Sequence, residues 1–209
     1  MKVMAIGAHF DDVELGCGGA LLKHKENEDE ILILVVTHSG YESAIKGVVR
    51  EKEDALSEGK RSASYLGADL ICLNKEPLII MPNEMLVLEI ADIVDAFKPD
   101  RVYTHRRDDH HGDHSAVGIC SMRACRKCNE ILLYRSSWYI LDSVINDNYF
   151  VDISNFMDQK EKILKFFESE MIPTNYSWIS FVKKQNAASG AKINTNFAET
   201  FYVTKLVWN

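Results

Sequence analysis

The chain has 209 residues, 46% hydrophobic and 10% aromatic, which is enough to bury a sizeable core and too apolar for a disordered chain. Its 24 basic and 31 acidic residues leave a formal charge of −7, which disfavours nucleic acid and anionic membranes as partners. The five cysteines are odd in number, so they fit free thiols in a reducing compartment rather than a disulfide-stapled scaffold.

No run approaches the roughly 18 apolar residues of a membrane span. The apolar start, residues 1–8, is broken by His9, Asp11 and Asp12 and does not read as a signal peptide. A cytoplasmic protein is expected.

Residues 2–8 form a short apolar run of strand type, and residues 18–25 read as a helix. Residues 31–37 (ILILVVT) are continuous and β-branched, as expected of a strand buried on both faces. Residues 48–66 are charged and helix-favouring, with Gly67 as the stop. Residues 69–73 give another strand. Residues 84–97 place Leu86, Ile90, Ile93 and Phe97 on one helical stripe that ends before Pro99. Residues 101–104 give a fourth strand. This alternation predicts an α/β fold, a Rossmann-like, mostly parallel sheet flanked by helices. Ligands of such sheets sit beyond the carboxyl ends of the strands. The two most polar clusters, residues 9–12 and 105–114, fall there.

Further on, residues 115–126 read as a helix and residues 131–134 and 149–153 as strands. Residues 155–168 read as a helix capped near Ser154 or Asn155, with Phe156, Ile163 and Phe167 inward. Residues 173–196 are polar and rich in small side chains, so a long loop or lid is expected. Residues 197–208 close the chain with an apolar, aromatic segment. Neither a repeat nor a linker divides the sequence. The expectation is one domain over 1–209, with a core at 1–128 and a C-terminal strand and lid region at 129–209.

Four of the seven histidines lie in residues 104–114 (THRRDDHHGDH), and His9 follows the first strand beside two carboxylates. Imidazole and carboxylate are good ligands for zinc and neighbouring transition metals. Two histidines with one carboxylate leave positions open, as a catalytic site needs. A lone His-Asp-His cluster is often only a solvated loop. The placement of both clusters after parallel strands favours a metal site. Gly16-Cys17-Gly18-Gly19 is not read as a dinucleotide fingerprint, because His9, Asp11, Asp12 and Glu14 intervene after the strand and would repel a pyrophosphate. Those glycines are expected to let the helix pack closely on the sheet. The CxxC of Cys125 and Cys128 lacks a second pair and reads as thiols on or beside a helix. Trp138, Trp178 and Trp208 read as packing residues of core or lid.

The segment Gly7-Ala8-His9-Phe10-Asp11-Asp12, with Gly18-Gly19 following, resembles the AHxDD(x)nGG signature of the LmbE-like, or PIG-L, N-deacetylases. His111-Gly112-Asp113-His114 resembles their HPDH signature. Residues 49–55, 98–103 and 197–201 are similar to further family segments, so the resemblance spans nearly the whole chain. It implies a metal-dependent enzyme, usually with zinc, that deacetylates N-acetylglucosamine-type conjugates. It places the metal on His9, Asp12 and His114 and the general base on Asp11. It implies that His111 stabilises the oxyanion or protonates the amine, with Asp113 as the neighbour that favours its imidazolium form. It assigns Arg50 to substrate hydroxyls. A lid tyrosine sometimes assists in this family, and Tyr176 is the candidate. Phe10 and Gly112 stand where the family commonly has proline, and Gly112 is expected to loosen the second signature.

The reading is thus a Zn2+ enzyme acting on a small-molecule amino sugar. One alternative is a non-haem Fe2+ enzyme on the same ligands. Others are a silent sugar-binding protein and, more distantly, a nucleotide-binding module. A homo-oligomer is left open. An anionic substrate would need Arg50, Arg106 or Arg107.

Overall fold

The computed structural model describes residues 1–45, 47–139 and 146–207. Trp208 lies outside them. The continuous apolar runs become interior strands. β1 (Lys2–Gly7) and β2 (Glu30–Thr37) pair in parallel from Lys2 opposite Glu30 to Gly7 opposite Val35. Successive side chains leave opposite faces of a strand. Ala5, Ile33 and Val35 therefore enter one apolar cluster, while Ile6, Leu34 and Val36 enter another.

The main sheet has the order β5-β2-β1-β6-β7-β9-β8, adding β5 (Ala68–Lys75), β6 (Arg101–His105), β7 (Glu130–Tyr134), β8 (Tyr149–Asp152) and β9 (Ala198–Leu206). The first five of these strands are parallel; β9 runs antiparallel to β7 and to β8. α1 (Asp12–Glu26), α2 (Lys52–Leu66) and α5 (Met157–Leu164) pack on one face. α3 (Glu84–Phe97) and α4 (Gly112–Ala124) pack on the other. The α/β expectation holds. Strand order reverses between neighbours β1 and β6, so their loops diverge and open a crevice. Both polar clusters lie at that crevice.

Helix limits follow local chemistry. Asn83 caps α3 by accepting from Leu86 N, and α3 stops at Lys98, left-handed at φ 56° and followed by Pro99. Gly67 ends α2 at φ 69°. All five cysteines are free thiols, Cys125 at the end of α4.

Three expectations need correction. The helix expected from residue 48 begins at Lys52. Residues 47–50 instead form β4 (Gly47–Arg50), paired with β3 (Tyr41–Ser43), because Val48 and Val49 favour extended backbone. The helix expected over 155–168 breaks after Leu164, and a short α6 (Glu168–Met171) follows. Ser154 is not its cap; its Oγ accepts from Asn196 N and Phe197 N, each at 3.1 Å, and so fixes the start of β9. Phe156, Ile163 and Phe167 are buried as expected. Residues 173–196, expected to be a long loop or lid, instead contain the helix α7 (Ser177–Ala191). Its inward face carries Ile179, Val182, Asn186, Ser189 and Gly190, a helical spacing with few large apolar groups.

The glycines of α1 do bring helix and sheet together. A Cβ on Gly16 would lie 2.1 Å from the Tyr134 ring, and one on Gly19 would lie 2.7 Å from Ile153. α1 is also broken at Cys17 (φ −141°). Leu15 O and Gly19 N, partners in a continuous helix, are served by side chains instead. Lys160 Nζ donates to Leu15 O at 2.9 Å, and Glu199 accepts from Gly19 N and Ala20 N, each at 2.7 Å.

Candidate metal and catalytic site

Asp12 is the hub of the crevice. It opens α1 directly after the β1 loop, and it is buried. Its Oδ2 accepts from His9 N at 2.7 Å and lies 3.3 Å from His9 Nδ1 and 3.2 Å from His105 Nε2. Its Oδ1 lies 3.1 Å from His114 Nε2 and accepts from Ser136 Oγ at 2.8 Å. The imidazoles of His105 and His111 each stack on His114 with centroids 4.2 Å apart. His9 after β1, His105 at the end of β6 and His114 in α4 thus surround one carboxylate, with His111 stacked behind His114.

Outer carboxylates orient these rings. Asp113 Oδ2 lies 2.9 Å from His9 Nε2, so His9 turns Nδ1 toward Asp12. Asp113 itself is fixed by Leu78 N and Ile80 N. Asp109 Oδ2 lies 3.3 Å from His114 Nδ1, accepts from Ser137 Oγ at 2.8 Å, and its Oδ1 accepts from His111 N. Carboxylates behind histidine are the usual supports of metal-ligating imidazole.

Charge follows from this geometry. Burial disfavours ionised Asp12, yet the neighbouring His114 and His105 hold its carboxyl well below the usual range. Burial pulls His9 down, but hydrogen bonds to Asp113 and Asp12 outweigh it and raise the imidazole to about 9. Burial opposes the charge on His114 too, but Asp12 and Asp109 raise it to about 10. Protonated imidazoles thus balance the buried carboxylates, and a metal ion binding here would have to displace those protons. His111 is lowered to about 4 by burial and by His114 and His9. Burial raises Asp11 well above an ordinary carboxylate, against the pull of Arg50.

A cavity of about 260 Å³ opens over this cluster, lined among others by His9, Asp11, Asp12, Arg50, His111, His114 and Glu170. Asp11 stands at φ 124°, a conformation L side chains rarely adopt. Such strain persists where the surroundings hold it, and it clusters at functional sites. Arg50 ends β4 in the cavity wall and donates to Phe10 O and to Glu58, each at 3.1 Å.

Residues 4–125 match the PIG-L family, described as GlcNAc-PI de-N-acetylase. The chain belongs to this family. Among relatives in sequence, the uncharacterized deacetylase YaiS of Escherichia coli (strain K12) is 34% identical over 146 residues, 65% of this chain and 75% of its own length. The N,N'-diacetylchitobiose deacetylase of Pyrococcus horikoshii shares the fold with a TM-score of 0.84 at 21% identity, over 97% of this chain and 83% of that one. GalB, the 4-carboxy-2-hydroxymuconate hydratase of Pseudomonas putida KT2440, scores 0.79 at 15% identity, over 100% and 98% of the two chains. Those two likenesses establish the fold alone, and a shared fold does not fix the chemistry.

The residues selected by the PIG-L signatures converge, with two changes. Asp12 lies between His9 and His114, and Asp11, His111 and Arg50 line the same cavity; among the described residues the sets whose donor atoms all lie within 4.8 Å of one another are His9 with His111 and His114, and Asp12 with His105 and His114. Asp113 is hydrogen-bonded to His9 rather than to His111, so it does not make His111 an imidazolium. Tyr176 precedes α7, is 41% exposed and is not among the cavity-lining residues, which include Tyr41 and Tyr139. The non-proline residues are accommodated. Phe10 N donates to Ser39 Oγ at 2.8 Å, a bond proline lacks. Gly112 is the first residue of α4, and His111 and His114 still stack across it.

Sequence reasoning assigned no role to His105, Asp109, Ser136, Ser137 or Glu170. The signal for His105 and Asp109 was available, since His105 ends β6 and Asp109 lies between β6 and the second signature. Ser136, Ser137 and Glu170 lie in segments without a motif.

Proposed function

We propose that this protein is a zinc-dependent N-deacetylase that hydrolyses the acetamide of an N-acetylated amino sugar. The observation that carries the reading is Asp12 set between His9 and His114 at the β1–β6 crevice, with Asp11 beside it in the cavity wall. The donor set fits a divalent metal: imidazoles and a carboxylate converge, and outer carboxylates orient two of the rings. His9, Asp12 and His114 would hold the ion. When bound, it supplies Lewis acidity toward the acetamide carbonyl and acidifies water.

The chain's own residues do the rest. Asp11 takes the proton of the attacking water and returns it to the departing nitrogen, so acetate and a free amine leave. His111 has no carboxylate on its ring and serves as a neutral hydrogen-bond donor to the developing oxyanion. Arg50 and Glu170, 3.5 Å apart in the wall, present polar groups to sugar hydroxyls.

The test is amine release from N-acetylglucosamine compounds by metal-stripped protein reloaded with zinc or iron, without and with oxygen. Zinc-supported release under anaerobic conditions is expected. Turnover that needs both iron and oxygen would overturn the hydrolytic reading in favour of the non-haem iron alternative.

A further inference from the structure

The cavity has two unlike walls. Around Asp12 it is polar, and at its mouth it is aromatic. Trp138 follows β7 and Trp178 lies on α7, yet their rings stack with centroids 3.7 Å apart and 10° between planes. Phe181 meets both edge-on, at 6.1 and 6.4 Å. Both tryptophans line the cavity, and Trp138 remains 42% exposed. Two indoles locked face to face make a rigid apolar surface that loses little freedom when a ligand lies against it. At about 260 Å³ the cavity is smaller than the roughly 300–1,000 Å³ pockets that enclose drug-sized ligands. Its size suits a group no larger than a sugar ring, so whatever such a sugar is attached to would have to cross the mouth.

The charges of the wall narrow what can cross. Asp11, Asp12 and Glu170 line the cavity, and Arg50 is the one lysine or arginine among the described lining residues. Arg50 is already held by Glu58 at 3.1 Å and Glu170 at 3.5 Å. Arg106, which could have served an anionic substrate, is bound to Asp108 at 2.7 Å and Asp147 at 3.1 Å. A phosphate at the mouth would meet no free guanidinium or ammonium among the described lining residues, and the exposed Arg107 is not one of them.

We infer that the site selects an uncharged glycoside whose aglycone lays an apolar face on the Trp138–Trp178 wall, and that it turns away phosphate-bearing conjugates. The sugar half of this rests on the deacetylase reading; the wall and its charge do not.

Binding is measured by calorimetry on zinc-loaded protein carrying Asp11→Asn to suppress turnover. The ligands are N-acetylglucosamine, its phenyl β-glycoside and its 1-phosphate. The phenyl glycoside is expected to bind about 3- to 10-fold tighter than the free sugar, the size of one aromatic contact. The 1-phosphate is expected to bind no tighter than the free sugar. Trp138→Ala should erase the phenyl preference and Trp138→Phe should keep most of it. The inference is overturned if the phenyl glycoside has no advantage, if the 1-phosphate binds better, or if the preference survives Trp138→Ala and Trp178→Ala. Amine release by the wild-type protein is followed in parallel. Its absence alongside an intact phenyl preference defeats the deacetylase reading and leaves the aromatic wall standing.

Discussion

Lys160 Nζ lies 2.6 Å from Glu199 Oε1, and both side chains are sealed from solvent. The pair does more than neutralise itself. Glu199 receives the N–H groups of Gly19 and Ala20, Lys160 covers Leu15 O, and Asn186 Oδ1 lies 3.3 Å from the ammonium. It thus joins α5, α7 and β9 to the break in α1, three residues after Glu14 and five after Asp12. The second half of the chain thereby braces the helix that carries the site.

Removing one partner should be costly, because the other charge is left buried. Glu199→Gln or Lys160→Met is expected to lose about 3–5 kcal/mol in urea unfolding. The double variant Lys160→Met with Glu199→Gln should lose less than the two single losses added together. Strict additivity would mean that the two side chains act independently.

Two glycines, Gly16 within α1 and Gly112 at the start of α4, should respond oppositely to alanine. Gly16→Ala drives a Cβ into the Tyr134 ring, whose hydroxyl donates to Ile6 O at 2.8 Å, and should cost about 1–3 kcal/mol or more. Gly112 meets nothing within 4 Å of an added Cβ and has no positive φ. Gly112→Ala should stabilise by about 0.4–1 kcal/mol. Thermal unfolding of the two variants checks the pair of signs.

Outer carboxylates should matter to metal affinity rather than to folding alone. Asp113→Asn and Asp109→Asn, which weaken the groups behind His9 and His114, are each expected to weaken zinc binding about 10- to 100-fold. Competition with a chromophoric chelator measures it. Unchanged affinity in both would show that the rings are oriented by packing.

Much of this arrangement is legible in the sequence, for a physical reason. Runs such as ILILVVT and the alternation of strand and helix fix a parallel sheet, and such sheets bind ligands at their carboxyl ends. His9, Asp12 and His114 announce themselves by residue type. The rest is hidden because it depends on contacts between distant segments. α7 buries Asn186, Ser189 and Gly190, which carry no apolar stripe. The partner of Asp113 is His9, 104 residues away, rather than its near neighbour His111. The aromatic wall needs Trp138 and Trp178 to meet across separate segments.

Glu14 links the site helix to pH. Burial raises its carboxyl from the usual 4.5 to about 7, against a hydrogen bond from Ser62. The folded state therefore binds this proton more tightly than the unfolded chain. Its contribution is fully present below pH 4.5 and is lost as pH rises through about 7. The change is up to about 3 kcal/mol. Urea unfolding of chelator-treated protein across that range should show the decline, and Glu14→Gln should flatten it. An equal decline in the variant would assign it to other groups.

The central claim is that Asp11 moves the proton while Asp12 holds the metal. The most direct measurement pairs amine release from an N-acetylglucosamine glycoside with metal content, for wild type, Asp11→Asn and Asp12→Asn. Asp11→Asn should keep its metal and lose at least about 100-fold in turnover, the usual scale of general acid–base catalysis. Asp12→Asn should lose both. Near-wild-type turnover in Asp11→Asn, or full metal content in Asp12→Asn, would contradict the account.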